Sequence, residues 1–142
     1  VIVFFDTAAL VKLFIDELQG DAAGAGASQA RAIVVSQLAW IEFHAAMALK
    51  RRTLQRPVVE IAQAREQFAQ SWSLWQRAGV DAALATSAGE LAWRHGLRAY
   101  DSVQLATALK AAESLGQLLR FCSFDGALGR AAAAEGLVTL GA

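Results

Sequence analysis

The chain opens on Val1-Ile-Val-Phe-Phe5, a continuous apolar run rich in β-branched and aromatic residues that stops abruptly at Asp6. A run without polar alternation is the pattern of a strand covered on both faces, and such strands belong to parallel sheets flanked by helices. The device recurs near the other end, where the largely apolar Leu118-Leu-Arg-Phe-Cys-Ser-Phe124 stops at Asp125. Helical patterns fill the space between. Thr7 to Leu18 reads as a helix closed by Gly20, and the Ala- and Gly-rich Asp21 to Arg31 as a weaker one. Ile33-Val-Val35 is a second strand, with Ser36 as N-cap of a helix running from Gln37 to about Arg52.

Pro57 suits the first turn of a further helix reaching about Ala78, with Gly79 as its stop. Val80 to Leu84 is expected to hold a short third strand, followed by a helix from Ser87 to His95 that Gly96 ends. Residues 101–115 read as helix, 118–124 as strand, 126–135 as helix and 138–140 as a last strand. Strands alternating with helices point to an α/β domain with a mostly parallel sheet. No linker, repeat or low-complexity tract divides the 142 residues, so residues 1–142 are expected to form a single domain.

Composition narrows the class. With 56% hydrophobic against 18% charged residues the chain is too apolar for disorder, while its longest apolar runs fall well short of the roughly 18 residues a membrane span needs. The N-terminus lacks a basic segment followed by an apolar stretch and a small-residue cleavage site, so no secretory signal is expected, although a start at Val1 leaves room for residues upstream. Cys122 is the single cysteine and sits in an apolar run, which favours a cytoplasmic location. Thirteen Lys and Arg balance thirteen Asp and Glu, so global charge says nothing about nucleic acid and local distribution has to.

Four acids stand out against the apolar pattern. Asp6 and Asp125 follow strands at their carboxyl ends, where open parallel sheets place ligand sites, though each also suits an ordinary helix N-cap. Glu42 interrupts an apolar stripe formed by Leu38, Ala45 and Leu49 and is flanked by Trp40-Ile41 and Phe43, so a cation is expected to meet it, whether a metal or a buried Arg or Lys. Asp101 heads the stripe of Leu105, Ala108 and Ala112, and it too has a cap as its alternative. Four converging carboxylates repel one another unless cations neutralise them. Oxygen-only ligation suits Mg²⁺ or Mn²⁺, which can activate a water for in-line attack on phosphorus, so phosphodiester hydrolysis is the expected chemistry.

Four segments in order, Phe4-Phe-Asp-Thr-Ala-Ala-Leu-Val-Lys-Leu13, Val35-Ser-Gln-Leu-Ala-Trp-Ile-Glu42, Gly96-Leu-Arg-Ala-Tyr-Asp-Ser-Val-Gln-Leu-Ala106 and Phe121-Cys-Ser-Phe-Asp125, resemble PIN domains, above all the VapC toxins of bacterial type II toxin–antitoxin systems. The resemblance spans nearly the whole chain. It implies a three-layer α/β/α fold with a central parallel sheet, Mg²⁺- or Mn²⁺-dependent endoribonuclease activity on RNA, a homodimer, and inhibition by a cognate VapB-like antitoxin. Asp6, Glu42, Asp101 and Asp125 match the family's acidic quartet and take its catalytic and metal-binding roles. Thr7 matches the hydroxyl residue after the first acid, whereas Ala8 stands where a Ser is frequent and Gln104 where a His is common.

The remaining chemistry-bearing residues have plainer readings. Lys50-Arg51-Arg52 ends a helix, where the dipole favours cations in any protein. Arg94 and Arg98 lie close enough before Asp101 to reach phosphate, with surface ion pairs as the alternative. His44 and His95 lack ligand-like spacing, and Trp72 and Trp75 fall in a helix with Phe68 and Ile61, as core or dimer packing does. Gly24 and Gly26 have no preceding strand of the kind a phosphate loop requires. Two further functions remain open: a related nuclease acting on other nucleic acid, and a catalytically silent PIN-like binding module whose acids hold a partner's Arg.

Overall fold

The computed structural model describes residues 1–15, 20–116 and 118–141. Its elements run β1 (Ile2–Phe5), α1 (Thr7–Phe14), α2 (Gly20–Gln29), β2 (Ala32–Ser36), α3 (Leu38–Arg52), α4 (Val58–Trp72), β3 (Gln76–Ala78), α5 (Ala82–His95), α6 (Ala99–Leu115), β4 (Leu119–Cys122), α7 (Gly126–Ala134) and β5 (Val138–Leu140). The strands form one five-stranded sheet in the order β3-β2-β1-β4-β5, and every pairing is parallel. This is the α/β architecture expected, with the sheet wholly parallel rather than mostly so.

Every residue of β1 is buried, which is why its sequence carries no alternation. Successive side chains point to opposite faces. Ile2 and Phe4 join Phe121 and the inner faces of α5, α6 and α7, while Val3 and Phe5 join Val35, Cys122 and the inner faces of α1 to α4. The sheet is thus sandwiched between two helical layers with a core on each side. Phe4 stacks on Phe121 at 5.6 Å between ring centroids, and Phe43 on Phe68 at 3.8 Å in the other layer. Each such ring contributes about 1.5–3 kcal/mol through removal from water. Trp72 and Trp75 pack around Phe68 and Phe14, so they serve the second core.

Several boundaries differ from the sequence reading: the first helix ends at Phe14, short of the expected Leu18, and Gly20 begins α2 instead of closing α1. The helix after Pro57 ends at Trp72, and Gln76–Ala78 forms the edge strand β3 by pairing with Val34 to Ser36. Val80 to Leu84 is not a strand, because the Asp81 carboxylate accepts a hydrogen bond from the Leu84 N–H at 2.8 Å and starts α5. Helix α6 begins at Ala99, which places Asp101 in its first turn instead of at its cap. The Ser36 hydroxyl accepts from the Leu38 N–H at 3.1 Å, as its reading as a cap requires, although Gln37 occupies the formal cap position. Leu18 of the first helical reading lies outside the described residues.

The sheet's order reverses between β1 and β4, and the crevice beyond the carboxyl ends of such a pair is where open parallel sheets bind ligands. The Asp6 N–H donates to the Cys122 carbonyl at 3.2 Å, continuing this pairing one residue past β1. On the far side of β4, the Ser123 N–H donates to the Leu140 carbonyl at 3.1 Å, and Gly141 follows with a φ of +106° against the Ser123 carbonyl. A side chain at Gly141 would collide with that carbonyl and strain the backbone. Gly141→Ala is therefore expected to lower stability by about 1–3 kcal/mol in urea denaturation; an unchanged midpoint would show that this corner yields freely.

Candidate metal centre

Asp6 follows β1 and Asp125 follows β4, the two strands that flank the reversal. Both acids do cap helices. Asp6 Oδ1 accepts from the Ala9 N–H at 2.8 Å, and Asp125 Oδ1 accepts from the Leu128 N–H at 3.0 Å. The cap and the cluster are not competing accounts, since a carboxylate has two oxygens and the cap orients the second. Ser123 adds a hydrogen bond to the Asp6 carboxylate and receives the Asp125 N–H at 3.2 Å, so one hydroxyl ties the two strand ends together.

Glu42 arrives from α3, is not deeply buried, and among the described residues takes its hydrogen bonds from a threonine and a glutamine. Its stripe partners Ala45 and Leu49 are exposed, so the face that reads as core is half open to solvent. The Thr7 hydroxyl donates to Glu42 Oε1 at 2.8 Å, and Gln104 Nε2 donates to the same Oε1 at 2.9 Å and to the Thr7 hydroxyl at 3.0 Å. This closed triangle links α1 and α3 on one face of the sheet to α6 on the other. It leaves Glu42 Oε2 without a hydrogen bond among the described residues. Gln104 is buried, and its Oε1 has no partner among the described residues, which leaves one acceptor for an ordered water.

Asp101, from the first turn of α6, completes the set. Arg98 lies across it: Nε donates to Asp101 Oδ2 at 3.0 Å and Nη2 to Asp125 Oδ2 at 3.2 Å. Its ionisation is pushed further up by Asp101 first, then by Asp125 and Glu42. Arg94 and His95 are engaged away from the cluster, on Glu135 at 2.8 and 2.7 Å. His44 bonds the Trp40 carbonyl and takes no part in the acidic cluster.

A family model described as PIN domain matches residues 3–133. The chain belongs to the PIN domain family. Ribonuclease VapC45 of Mycobacterium tuberculosis is 34% identical over 108 residues, 76% of this chain and 75% of that one. Among solved structures, this PIN domain is similar to Mycobacterium tuberculosis VapC20, described as a sarcin–ricin loop cleaving toxin, with a TM-score of 0.65 at 20% identity over 96% of each chain. It is similar also to VapBC2 of Rickettsia felis bound to a fragment of its promoter DNA, with a TM-score of 0.64 at 15% identity, covering 98% of this chain and 97% of that one. At these identities the solved structures speak for the fold alone.

Membership of the family implies a divalent metal. Asp6, Glu42, Asp101 and Asp125 would offer it only carboxylate oxygen, which fits a hard divalent cation. As the side chains stand, no three acidic, histidine or cysteine side chains among the described residues close on a single point. The Arg98 guanidinium holds Asp101 and Asp125 in the meantime. Residues that sequence reasoning missed are Ser123, hidden inside a strand-like run, and the coupling of Gln104 to Thr7, which only the fold brings together.

The Asp6 carboxyl is raised from 3.8 to about 6. Burial is the main cause, the hydrogen bonds from Ser123 and Ala9 oppose it, and the nearby charges of Asp101 and Asp125 reinforce it. A carboxyl raised on folding contributes stability that is fully present below its unfolded value and lost as pH rises through its folded value. The window here runs from 3.8 to about 6, and that difference is worth at most about 3 kcal/mol. In EDTA, Asp6→Asn is therefore expected to be about 1–3 kcal/mol more stable than the parent at pH 7.5, the gap closing towards pH 4. Paired urea titrations at the two pH values read this, and a variant that is less stable at pH 7.5 would reduce Asp6 to a structural cap.

Proposed function

We propose that this PIN domain is a divalent-metal-dependent endoribonuclease, using Mg²⁺ or Mn²⁺, and the toxin of a VapBC-type pair restrained by a VapB-like antitoxin. The observation that carries the reading is the gathering of Asp6, Asp101 and Asp125 at the β1/β4 reversal, with Glu42 held beside them by Thr7 and Gln104. Relatives named ribonuclease VapC and neighbours that are toxin–antitoxin complexes support it.

Asp6, Glu42, Asp101 and Asp125 are the residues that would hold the cation. When bound, the cation supplies Lewis acidity to the scissile phosphate and eases loss of a proton from the attacking water. The chain's own groups do the positioning. Ser123 and the Ala9 N–H hold the Asp6 carboxylate in one orientation. Thr7 and Gln104 each donate to Glu42 Oε1, so Oε2 would be the atom left for a cation or for the proton of the attacking water. Such supports orient the ligating groups, and losing one commonly costs about 10- to 100-fold in metal affinity or activity.

Antitoxin-free protein is expected to cut single-stranded RNA with Mg²⁺ or Mn²⁺ and to stop in EDTA. Asp101→Asn and Glu42→Gln should each reduce the rate by about 10²–10⁴-fold, Gln104→Ala by about 10–100-fold, and Asp125→Asn by less than Asp101→Asn. Gel assays on a labelled RNA measure all four; full-rate cleavage in chelator contradicts the mechanism, and cleavage of DNA in preference to RNA redirects the substrate. Co-expression of the antitoxin should relieve toxicity through a complex of the two proteins.

We also propose that the chain pairs with a second copy outside the acidic cleft. Leu54, Leu74 and Trp93 are each 85% exposed or more, apolar area that a second copy could cover. Light scattering at micromolar concentration should read the mass of two chains, and a monomer alone would remove the claim.

A further inference from the structure

Arg98 is the one feature of the acidic site that its assignment to metal leaves unexplained. Its backbone is fixed, with φ −65° and ψ 155° and with its carbonyl receiving the Ser102 N–H at 3.0 Å at the start of α6. Its side chain is 80% exposed, while the Asp101 and Asp125 side chains it holds are only 24% and 30% exposed. The guanidinium therefore lies over the cluster from the solvent side, on a fixed stem. It occupies Oδ2 of both acids, and these carboxylates do not close into a metal-ligand group while it does so.

We propose that Arg98 is a displaceable counter-ion of the site, bridging Asp101 and Asp125 until a divalent cation takes both carboxylates and thereafter gripping a phosphate of the RNA. The proposal rests on reading the four acids as the cation site. Two facts favour the second role. A planar guanidinium fork matches a phosphate as well as it matches two carboxylates. The start of α6 carries no side-chain cap, so the dipole and the first N–H groups favour an anion at the same end of the helix. Arg94 is no substitute, because Glu135 already holds it.

The exchange makes opposite demands on the two ligands, and this separates it from a structural role. Arg98→Gln removes the competing ion pairs, so Mn²⁺ measured by calorimetry should bind on the order of three- to tenfold more tightly than to the parent protein. The variant should be less stable than the parent in EDTA and equal to it in saturating Mn²⁺, because the bridge exists only without the metal. With saturating Mn²⁺, a 2′-O-methyl RNA that resists cleavage should bind more weakly to Arg98→Gln. The slope of log affinity against log salt should fall by about 0.7, the share of one phosphate on a single strand. Arg94→Gln removes an equal charge from the last turn of α5 and should change neither affinity.

Unchanged or weaker Mn²⁺ binding by Arg98→Gln would overturn the proposal, as would equal destabilisation with and without Mn²⁺. An unchanged RNA affinity and salt slope would overturn the phosphate role, and with it the exchange. Should the parent protein bind no Mn²⁺ at all, the reading of the acids as a cation site fails first and takes this proposal with it.

Discussion

The parallel pairing of β1 with β4 is the constraint from which the rest of the site follows. Its register sets Phe5 opposite Cys122, and the chain leaves both strands at the same edge, with Asp6 one residue beyond the first and Asp125 three beyond the second. Two acids placed at adjacent strand ends, beside a third on α6, carry a repulsion that the fold has to offset. Burial between two apolar layers makes this sharper, since the core that fixes β1 is also what withdraws Asp6 from water.

The offsets are local and use donors rather than counter-charges for the deeper groups. Asp6 takes its hydrogen bonds from a helix N-terminus and from Ser123, Asp125 from another helix N-terminus, and Glu42 from a threonine and a glutamine. At the solvent side a cation of the chain itself, Arg98, enters. Neutral donors hold carboxylates in place without neutralising them, and so preserve the charge a divalent ion requires. The raised Cys122 thiol, pushed up to about 12 by burial and then by Asp6, fits the same picture of an apolar floor beneath a charged rim, and makes that thiol inert.

How much of this is legible in the sequence depends on which force shapes each segment. Strand β1 is plain because both faces are covered, and the helix starts at Asp6 and Asp125 are plain because caps have a side-chain signature. Strand β3 is not, since Gln76-Arg77-Ala78 is an edge held by backbone pairing to β2 and carries no apolar pattern. Asp81 belongs to a cap but sits inside the largely apolar run Val80 to Leu84, so the expected strand there gives way to α5. Glu42 is singled out by an apolar stripe that turns out to be half open, so its surroundings are less buried than the pattern implies. Ser123 and the Thr7–Gln104–Glu42 triangle are contacts across 35 to 97 positions or more, and no local pattern encodes them.

The central claim is that these four acids form one cation site. Crystals grown with Mn²⁺ and measured at the manganese absorption edge test it most directly. The account predicts an anomalous peak among Asp6, Glu42, Asp101 and Asp125, with the Arg98 guanidinium moved off Asp101 and Asp125. A peak elsewhere on the chain, or none at millimolar Mn²⁺ with Arg98 still bridging the two acids, would contradict it.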